Sequence, residues 1–361
     1  MVRLFSKYVS PHRKEYHSQR KIQITVTLIL AIVLILLEVY SLSVNSFKVT
    51  MGEAWNTVLN RIYGIEPVTY IDRMIDYVVI EVNAPRAIAA IMIGTILAIS
   101  GAVMQTLTHN PLSEPYTIGI SSAAMFGVTI SIAMGISIVP GLDRDTSCGI
   151  NAFVFALIPA IVILLATTAR KLSPNMMILI GIGMMYVFTS ITTLIKFNAN
   201  EEDLHEIYIW GLGTLSKIDW GDILPLTIAA LFVFIGFTYL ARVMNVLTAG
   251  DNVCQSLGVN PFRVRVISFV MVSLGVAVAV CYSGTIGFVG LVAPHITRLF
   301  TGNNNRLLIP VSAMAGALLI IMGDIIVRLI PGGLPAGVIT ALIGSPLFLY
   351  FLFRQRRNAT F

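Results

Sequence analysis

The sequence predicts an all-α, polytopic membrane protein with about ten transmembrane helices. Hydrophobic residues make up 56% of the 361 positions and charged residues only 12%, whereas a soluble domain carries about 25% charged residues. Apolar stretches close to the roughly 20 residues that a helix needs to cross the hydrocarbon recur along the chain. We predict ten spans, at about 22–43, 86–107, 117–137, 150–168, 176–196, 222–241, 263–283, 285–300, 308–329 and 336–353.

The distribution of basic residues predicts that both termini lie in the cytoplasm. Ten crossings place the two ends of the chain on the same side. If that side is the cytoplasm, 16 of the 24 Lys and Arg residues fall in or beside cytoplasmic segments, as the positive-inside rule requires. The basic stretch 1–21 has no small-residue cleavage site behind it, so it is predicted to be a cytoplasmic arm rather than a signal peptide.

The chain is predicted to form a single transmembrane domain, residues 1–361, and segment 45–85 is predicted to lie on its outer surface. Thr50 and Glu53 have the spacing of a capping box. Two runs of apolar residues follow at helical spacing. The segment therefore reads as two amphipathic helices at the outer membrane surface.

Segment 242–262 is predicted to be a rigid cytoplasmic connection between two spans. Asp251 can cap a short helix over 252–257, and Gly258 suits the position that follows it. Asn260 can cap the next span, which has a proline in its first turn. Since any loop between two spans needs helix caps, these residues alone do not establish a function.

The chain shows no energy source of its own. No GxxxxGK[ST] motif occurs, so it cannot cradle ATP in a Walker A loop. An ion-coupled carrier usually keeps ionisable groups in the membrane interior, and the candidates Glu38 and Asp324 lie toward the outer ends of predicted spans, where we expect water to reach them. Asp324 and Arg328 are four residues apart and can pair on one helix face. Energy for transport is therefore expected to come from a partner.

No pattern of metal-binding or catalytic residues is found. The three cysteines, Cys148, Cys254 and Cys281, are far apart and lack metal-ligand spacing. His109 and His295 have no second ligand three or four residues away. We therefore expect no metal site, no cofactor and no catalytic residues in this chain.

Four long stretches carry a specific resemblance. The chain closely resembles the FecCD family of ABC-importer permeases, which carry ferric siderophores, haem and vitamin B12. The resemblance covers nearly everything from residue 84 to the C-terminus. The matching stretches are 84–127, which includes NPLSEP, 249–260 (AGDNVCQSLGVN), 283–310, which includes FVGLVAPHITR, and 323–352.

The resemblance implies the type II ABC importer permease fold and a set of partners. These are a second permease subunit, identical or paralogous, two cytoplasmic ATPase subunits and an extracytoplasmic solute-binding protein. The lipid bilayer surrounds the permease, and no nucleic acid is involved. The implied location is the bacterial inner membrane, with both termini in the cytoplasm.

The resemblance also implies roles for individual residues. The inner gate would include Asn110 and Leu112 on one loop and Ser173 and Pro174 on another. The coupling segment, which docks into the ATPase, would include Gly250, Asp251, Gln255, Leu257, Gly258, Val259 and Asn260.

Binding-protein docking would involve Arg86 and Arg328 at the external surface. Family members often have a second arginine before the second span, and Asn83 stands there in this chain. That difference puts one salt bridge to the binding protein in doubt. Pairing with Asp324 alone is an alternative role for Arg328. Arg86 has anchoring at the membrane interface as its alternative role.

The most favoured function is that of the permease subunit of an ATP-driven importer for a ferric siderophore. Haem and cobalamin remain alternative ligands. An ion-coupled secondary transporter is the rival from another class, and a membrane-embedded enzyme is a weaker one. Dependence of uptake on ATP would distinguish an ABC importer from an ion-coupled transporter. The lack of paired catalytic residues disfavours an enzyme.

Overall fold

A computed structural model describes residues 2–45, 49–170, 173–330 and 334–358, and within these ranges the protein is helical without β-strands. Each of the ten predicted spans coincides with a helix, so the predicted fold class is confirmed. The helices are α1 (Val2–Ser43), α2 (Met51–Ile62), α3 (Tyr70–Asp76), α4 (Ala84–Thr108), α5 (Ile120–Met134), α6 (Arg144–Arg170), α7 (Pro174–Phe197), α8 (Glu201–Leu212), α9 (Trp220–Leu247), α10 (Asp251–Ser256), α11 (Pro261–Ser283), α12 (Val289–Thr301), α13 (Asn305–Leu329) and α14 (Ala336–Asn358).

Seven stretches of the described residues are helical, long and apolar enough to cross a membrane. The spans predicted to begin at 117 and 285 begin later, because residues with a positive φ lie before each helix. Directly before α12 this residue is Phe288, at a φ of +67°. Gly119 has a φ of +87° between a short 3₁₀ turn and α5, and Gly284 has a φ of +67° at the end of α11. These left-handed conformations favour glycine, so α5 and α12 are short helices.

The outer segment contains the two predicted helices. Thr50 and Glu53 make the predicted capping box at the start of α2, and Gly64, at a φ of +71°, lies just beyond the end of that helix. The second helix, α3, passes through a π-helical turn, Tyr77–Asn83, directly into α4. It therefore continues into the second span rather than forming a separate surface helix. Residues 46–48 of this segment lie outside the described ranges.

Helix α4 is the centre of the bundle, and small residues let its neighbours approach closely. A Cβ placed on Gly94 would lie 2.6 Å from the backbone of Ala317 in α13, and one on Gly101 would lie 1.7 Å from the carbonyl oxygen of Gly290 in α12. Close backbone approach at small residues is how membrane helices associate where lipid gives no hydrophobic drive.

Inter-helix connections gather at two opposite ends of the bundle. At one end, which we call the outer end, the Thr214 amide donates to the Ser283 carbonyl and the Gly337 amide to the Gly213 carbonyl. At the other, the inner end, Asn245 in α9 accepts from the backbone of Asn305 in α13.

Of the predicted arm 1–21, residues 2–21 are helical backbone continuous with the first span. The side chains of residues 2–20 are among those not described.

Candidate functional site

The predicted coupling segment contains α10, and an elbow after this helix leads into α11. Gly250, at a φ of +101°, occupies the N-cap of α10, and Asp251 is the first helical residue. The prediction that Asp251 caps this helix is therefore wrong. Gly258, at a φ of +77°, follows the end of α10 as predicted, and the Asn260 side chain accepts from the Arg263 amide at the start of α11.

A side chain from α11 explains why Asp251 does not cap. The Arg265 guanidinium donates from Nη1 to Asp251 Oδ2 at 2.8 Å and from Nη2 to Asp251 Oδ1 at 2.6 Å. This fork geometry is the strong form of an arginine–carboxylate pair. The hydrogen bonds from Arg265 lower the pKa of Asp251, and the nearby charge of His109 lowers it further. The pair ties α10 to α11.

Arg265 is a residue that sequence reasoning missed. It is 8% exposed, and its Nε lies 3.4 Å from the carbonyl oxygen of Leu107, in the last turn of α4. Burial of an arginine is uncommon unless the charge is paired. Fourteen residues separate it from Asp251, so no local helical spacing connects the two, and only the elbow brings them together.

A cleft of about 670 Å³ opens at the inner end beside this pair. Its walls combine part of the predicted coupling segment with one of the two predicted gate loops. The lining residues are Ser173, Pro174, Asp251, Gln255, Gly258, Val259, Asn260, Pro261, Phe262 and Arg265.

The predicted gate residues lie on two neighbouring structures. Ser173 is the N-cap of α7, with Pro174 in its first turn. Asn110 accepts from the Leu112 amide at 2.9 Å in the loop after α4. A second, small cavity, lined by Thr108, Ile118, Pro174 and Arg265 among others, joins the two regions. The structure thus brings Pro174 to the base of the loop that carries Asn110 and Leu112, and the gating role itself stays a prediction.

Two apolar side chains of the coupling segment point away from the protein. Leu257 is 64% exposed and Val253 is 42% exposed. They lie on a short connection at the inner end, outside the long apolar spans. Exposed apolar groups in such a place are typical of a protein–protein contact.

At the outer end, Arg86 and Arg328 are not exposed as predicted. Both pair with Asp324, Arg86 through Nε at 2.6 Å and Arg328 through Nη2 at 2.7 Å. The expectation that water reaches Asp324 is also wrong, because this residue is 1% exposed. The predicted pairing of Asp324 with Arg328 along one helix is present.

Asn83 completes this cluster. Arg328 donates to the Asn83 side chain at 3.1 Å and to the carbonyl oxygens of Ser41 and Val44 at 2.8 and 3.0 Å. The Asn83 amide donates to the Leu42 carbonyl. The cluster therefore joins the outer ends of α1, α4 and α13, and it balances the buried charge of Asp324 with two arginines.

Comparisons with known proteins agree with one another. The model of the FecCD transport family matches residues 30–354. A protein of Methanocaldococcus jannaschii named as an ABC transporter permease is 38% identical over 353 residues, which are 96% of this chain and 99% of that protein. A Helicobacter pylori protein named as an iron chelatin transport system permease is 36% identical over 280 residues, 77% of this chain and 83% of its own length.

A solved structure is similar throughout. It is described as an inward-facing conformation of a metal-chelate type ABC transporter. The TM-score is 0.79 with 27% sequence identity, and the match covers 91% of this chain and 99% of that one.

Proposed function

Because the chain belongs to the FecCD transport family, we propose that it is the membrane subunit of an ATP-driven importer for a ferric siderophore. The family consists of transport permeases, so the chain is a multi-pass ABC-type permease rather than a catalytic subunit. The proposal adds two ATPase subunits on separate chains, a second permease subunit, identical or paralogous, and an extracytoplasmic solute-binding protein. It also places the chain in the inner membrane with both termini in the cytoplasm.

Some of the relatives support an iron chelate, whereas others are named for hemin and vitamin B12. One is named for iron chelatin and the similar structure for a metal-chelate. Haem and cobalamin are the alternative ligands, which the ligand assay below distinguishes.

The cleft at the inner end is the observation that carries the proposed mechanism. Residues proposed to dock onto the ATPase and residues proposed to gate the path share its wall. We propose that Leu257 and Val253, both exposed, fit into the ATPase surface. A push on α10 would then act on Ser173 and Pro174 across the cleft, and through them on the loop of Asn110 and Leu112.

Docking of the binding protein at the outer end is a separate proposal. Arg86 and Arg328 are paired with Asp324. A direct contact with the binding protein would require these guanidinium groups to exchange that carboxylate for one on the partner. Arg86→Glu should then slow association of the binding protein at low ionic strength. Because the new carboxylate would lie beside buried Asp324, the rates are compared only if the variant unfolds at the wild-type temperature. Equal rates for Arg86→Glu and wild type at low salt would limit Arg86 to its pairing with Asp324.

The ligand is tested with the cognate binding protein. The purified protein is titrated with a ferric hydroxamate, hemin and cobalamin, and each loaded form is added to the reconstituted complex. We expect the ferric hydroxamate form alone to stimulate ATP hydrolysis. Stimulation by hemin or cobalamin alone would assign that ligand instead.

A further inference from the structure

We propose that the Arg265–Asp251 ion pair is the link that transmits motion of the coupling segment to the inner gate. This inference rests on the proposed function and assigns a positioning role to a residue outside the predicted coupling and gate sets. It is carried by two contacts of one guanidinium group and by the position of Arg265 in two cavities that Pro174 also lines.

The first contact is with the coupling segment. Asp251 opens α10, and both of its carboxylate oxygens accept hydrogen bonds from Arg265. A two-point pair fixes orientation as well as distance. The pair therefore resists both rotation and translation of α10 relative to Arg265. A displacement of α10 moves Arg265 with it.

The second contact is with the base of one gate loop. Arg265 Nε lies 3.4 Å from the Leu107 carbonyl oxygen, in the turn of α4 that leads into the loop of Asn110 and Leu112. His109, the first residue of that loop, has a φ of +51° and lies close enough to influence Asp251 electrostatically. Arg265 and Asp251 thus both interact with residues at the start of this loop.

The third observation places Arg265 near the other gate segment. Arg265 lines both the inner cleft and the small cavity behind it, and Pro174 lines both as well. Pro174 begins α7, so a shift of Arg265 changes the wall against which this helix start packs. One buried side chain therefore lies between the ATPase-facing helix and both gate segments.

Asp251 and Arg265 differ in the exposed fraction of their side chains, and this difference determines which substitutions suit each position. The Asp251 side chain is 45% exposed, whereas that of Arg265 is 10% exposed. Asp251→Asn removes the counter-charge of Arg265 but keeps a side-chain carbonyl oxygen that can still accept one hydrogen bond from the guanidinium. Arg265→Lys keeps the buried positive charge but removes the fork. These two substitutions weaken the link with the smallest disturbance of the fold.

The test uses the complete transporter in proteoliposomes, with its ATPase subunits and binding protein. The measured quantity is the amount of chelated iron taken up for each ATP hydrolysed. In Asp251→Asn and in Arg265→Lys we expect this ratio to fall by about tenfold, as loss of one charge-assisted hydrogen bond predicts. ATPase subunits should still co-purify with both variants. The effects of the two changes should not add, since both break the same pair.

The matched control is Arg263→Lys. Arg263 is exposed on the same turn of α11 and does not line the cleft. Its variant should keep the wild-type ratio. A readout of gate movement is added by placing cysteines at Leu112 and Pro174, in a background without the native cysteines. Crosslinking between subunits should change with nucleotide in wild type and lose that dependence in Asp251→Asn.

The outcomes separate this inference from the proposed function. Wild type that shows no ATP-dependent uptake overturns the proposed function and the link together. Wild type that transports, with an unchanged uptake ratio in Asp251→Asn and Arg265→Lys, overturns the link alone. Loss of the ATPase subunits from both variants also overturns it, because the pair would then shape only the docking surface.

Discussion

At the scale of single residues, Asp324 follows the rule that an ion inside a protein must be paired. Asp324 is buried between Arg86 and Arg328, and the more exposed Asp145 pairs with Lys217 at the surface. The first arrangement fixes helix ends to each other. The second contributes little, because water screens exposed pairs.

Removing the buried carboxylate should destabilise the protein strongly. Asp324→Asn leaves two guanidinium groups without their shared counter-charge, which costs about 3–5 kcal/mol. The control is Asp145→Asn, where we expect about 0–1 kcal/mol. Thermal unfolding of both variants in detergent measures the difference. An equally small shift for Asp324→Asn would show that Arg86 and Arg328 find other partners.

Glu114, between α4 and α5, should make stability depend on pH. Removal of this carboxyl from water raises its pKa to about 7, above the ordinary value of 4.5. The folded state therefore holds the proton more tightly than the unfolded state. Its contribution to stability is complete below about pH 4.5 and is lost as the pH rises through about 7.

Glu114→Gln, which mimics the protonated form, should remove this dependence. The unfolding temperature of Glu114→Gln minus that of wild type should increase as the pH rises from 5 to 8. A constant difference between the two proteins across that range would contradict the raised pKa.

At the scale of helices, close contact between backbones organises the bundle. Gly101 in α4 lies against Gly290 in α12, and Gly94 lies against α13. Where two backbones touch, no side chain can adjust to make room. The positions of the glycines therefore fix the spacing of α12 and α13 around α4.

Even one added methyl group should disrupt this packing. In Gly101→Ala the new Cβ would lie 1.7 Å from the Gly290 carbonyl oxygen, so the backbones must separate. We expect a loss of more than about 3 kcal/mol, beyond ordinary overpacking, seen as a fall in the monodisperse fraction after extraction. Gly183→Ala in α7 is the control, because no atom lies within 4 Å of its added Cβ. Similar behaviour of the two variants would contradict the account.

The helix α10 should act through its exposed apolar side chains. Leu257→Asp places a charge on the surface proposed to enter the ATPase, so it should abolish coupled ATP hydrolysis and uptake while the protein still inserts into the membrane. Asn252→Asp adds the same charge to the first turn of α10, where the helix dipole tolerates it, and should transport normally. Normal transport by Leu257→Asp would exclude this docking surface.

At the scale of the whole molecule, apolar stretches predict where the long helices lie, whereas contacts between distant parts of the sequence determine the sites. The capping residues Thr50, Asn260 and Gly258 act as the sequence predicts, because capping is local. Asp251 and Arg86 do not, because their partners, Arg265 and Asp324, lie 14 and 238 residues away. Burial of such pairs depends on which helices pack together, and local spacing carries no information about that.

We propose above that this permease moves an iron chelate with energy from ATP hydrolysed by partner subunits. The direct measurement is uptake of radiolabelled iron, as its siderophore chelate, into proteoliposomes that hold the complete transporter and receive the loaded binding protein. We predict uptake that requires ATP and the binding protein, and that persists when proton and sodium gradients are dissipated. Uptake that proceeds without ATP and stops when those gradients collapse would contradict the account and favour an ion-coupled carrier.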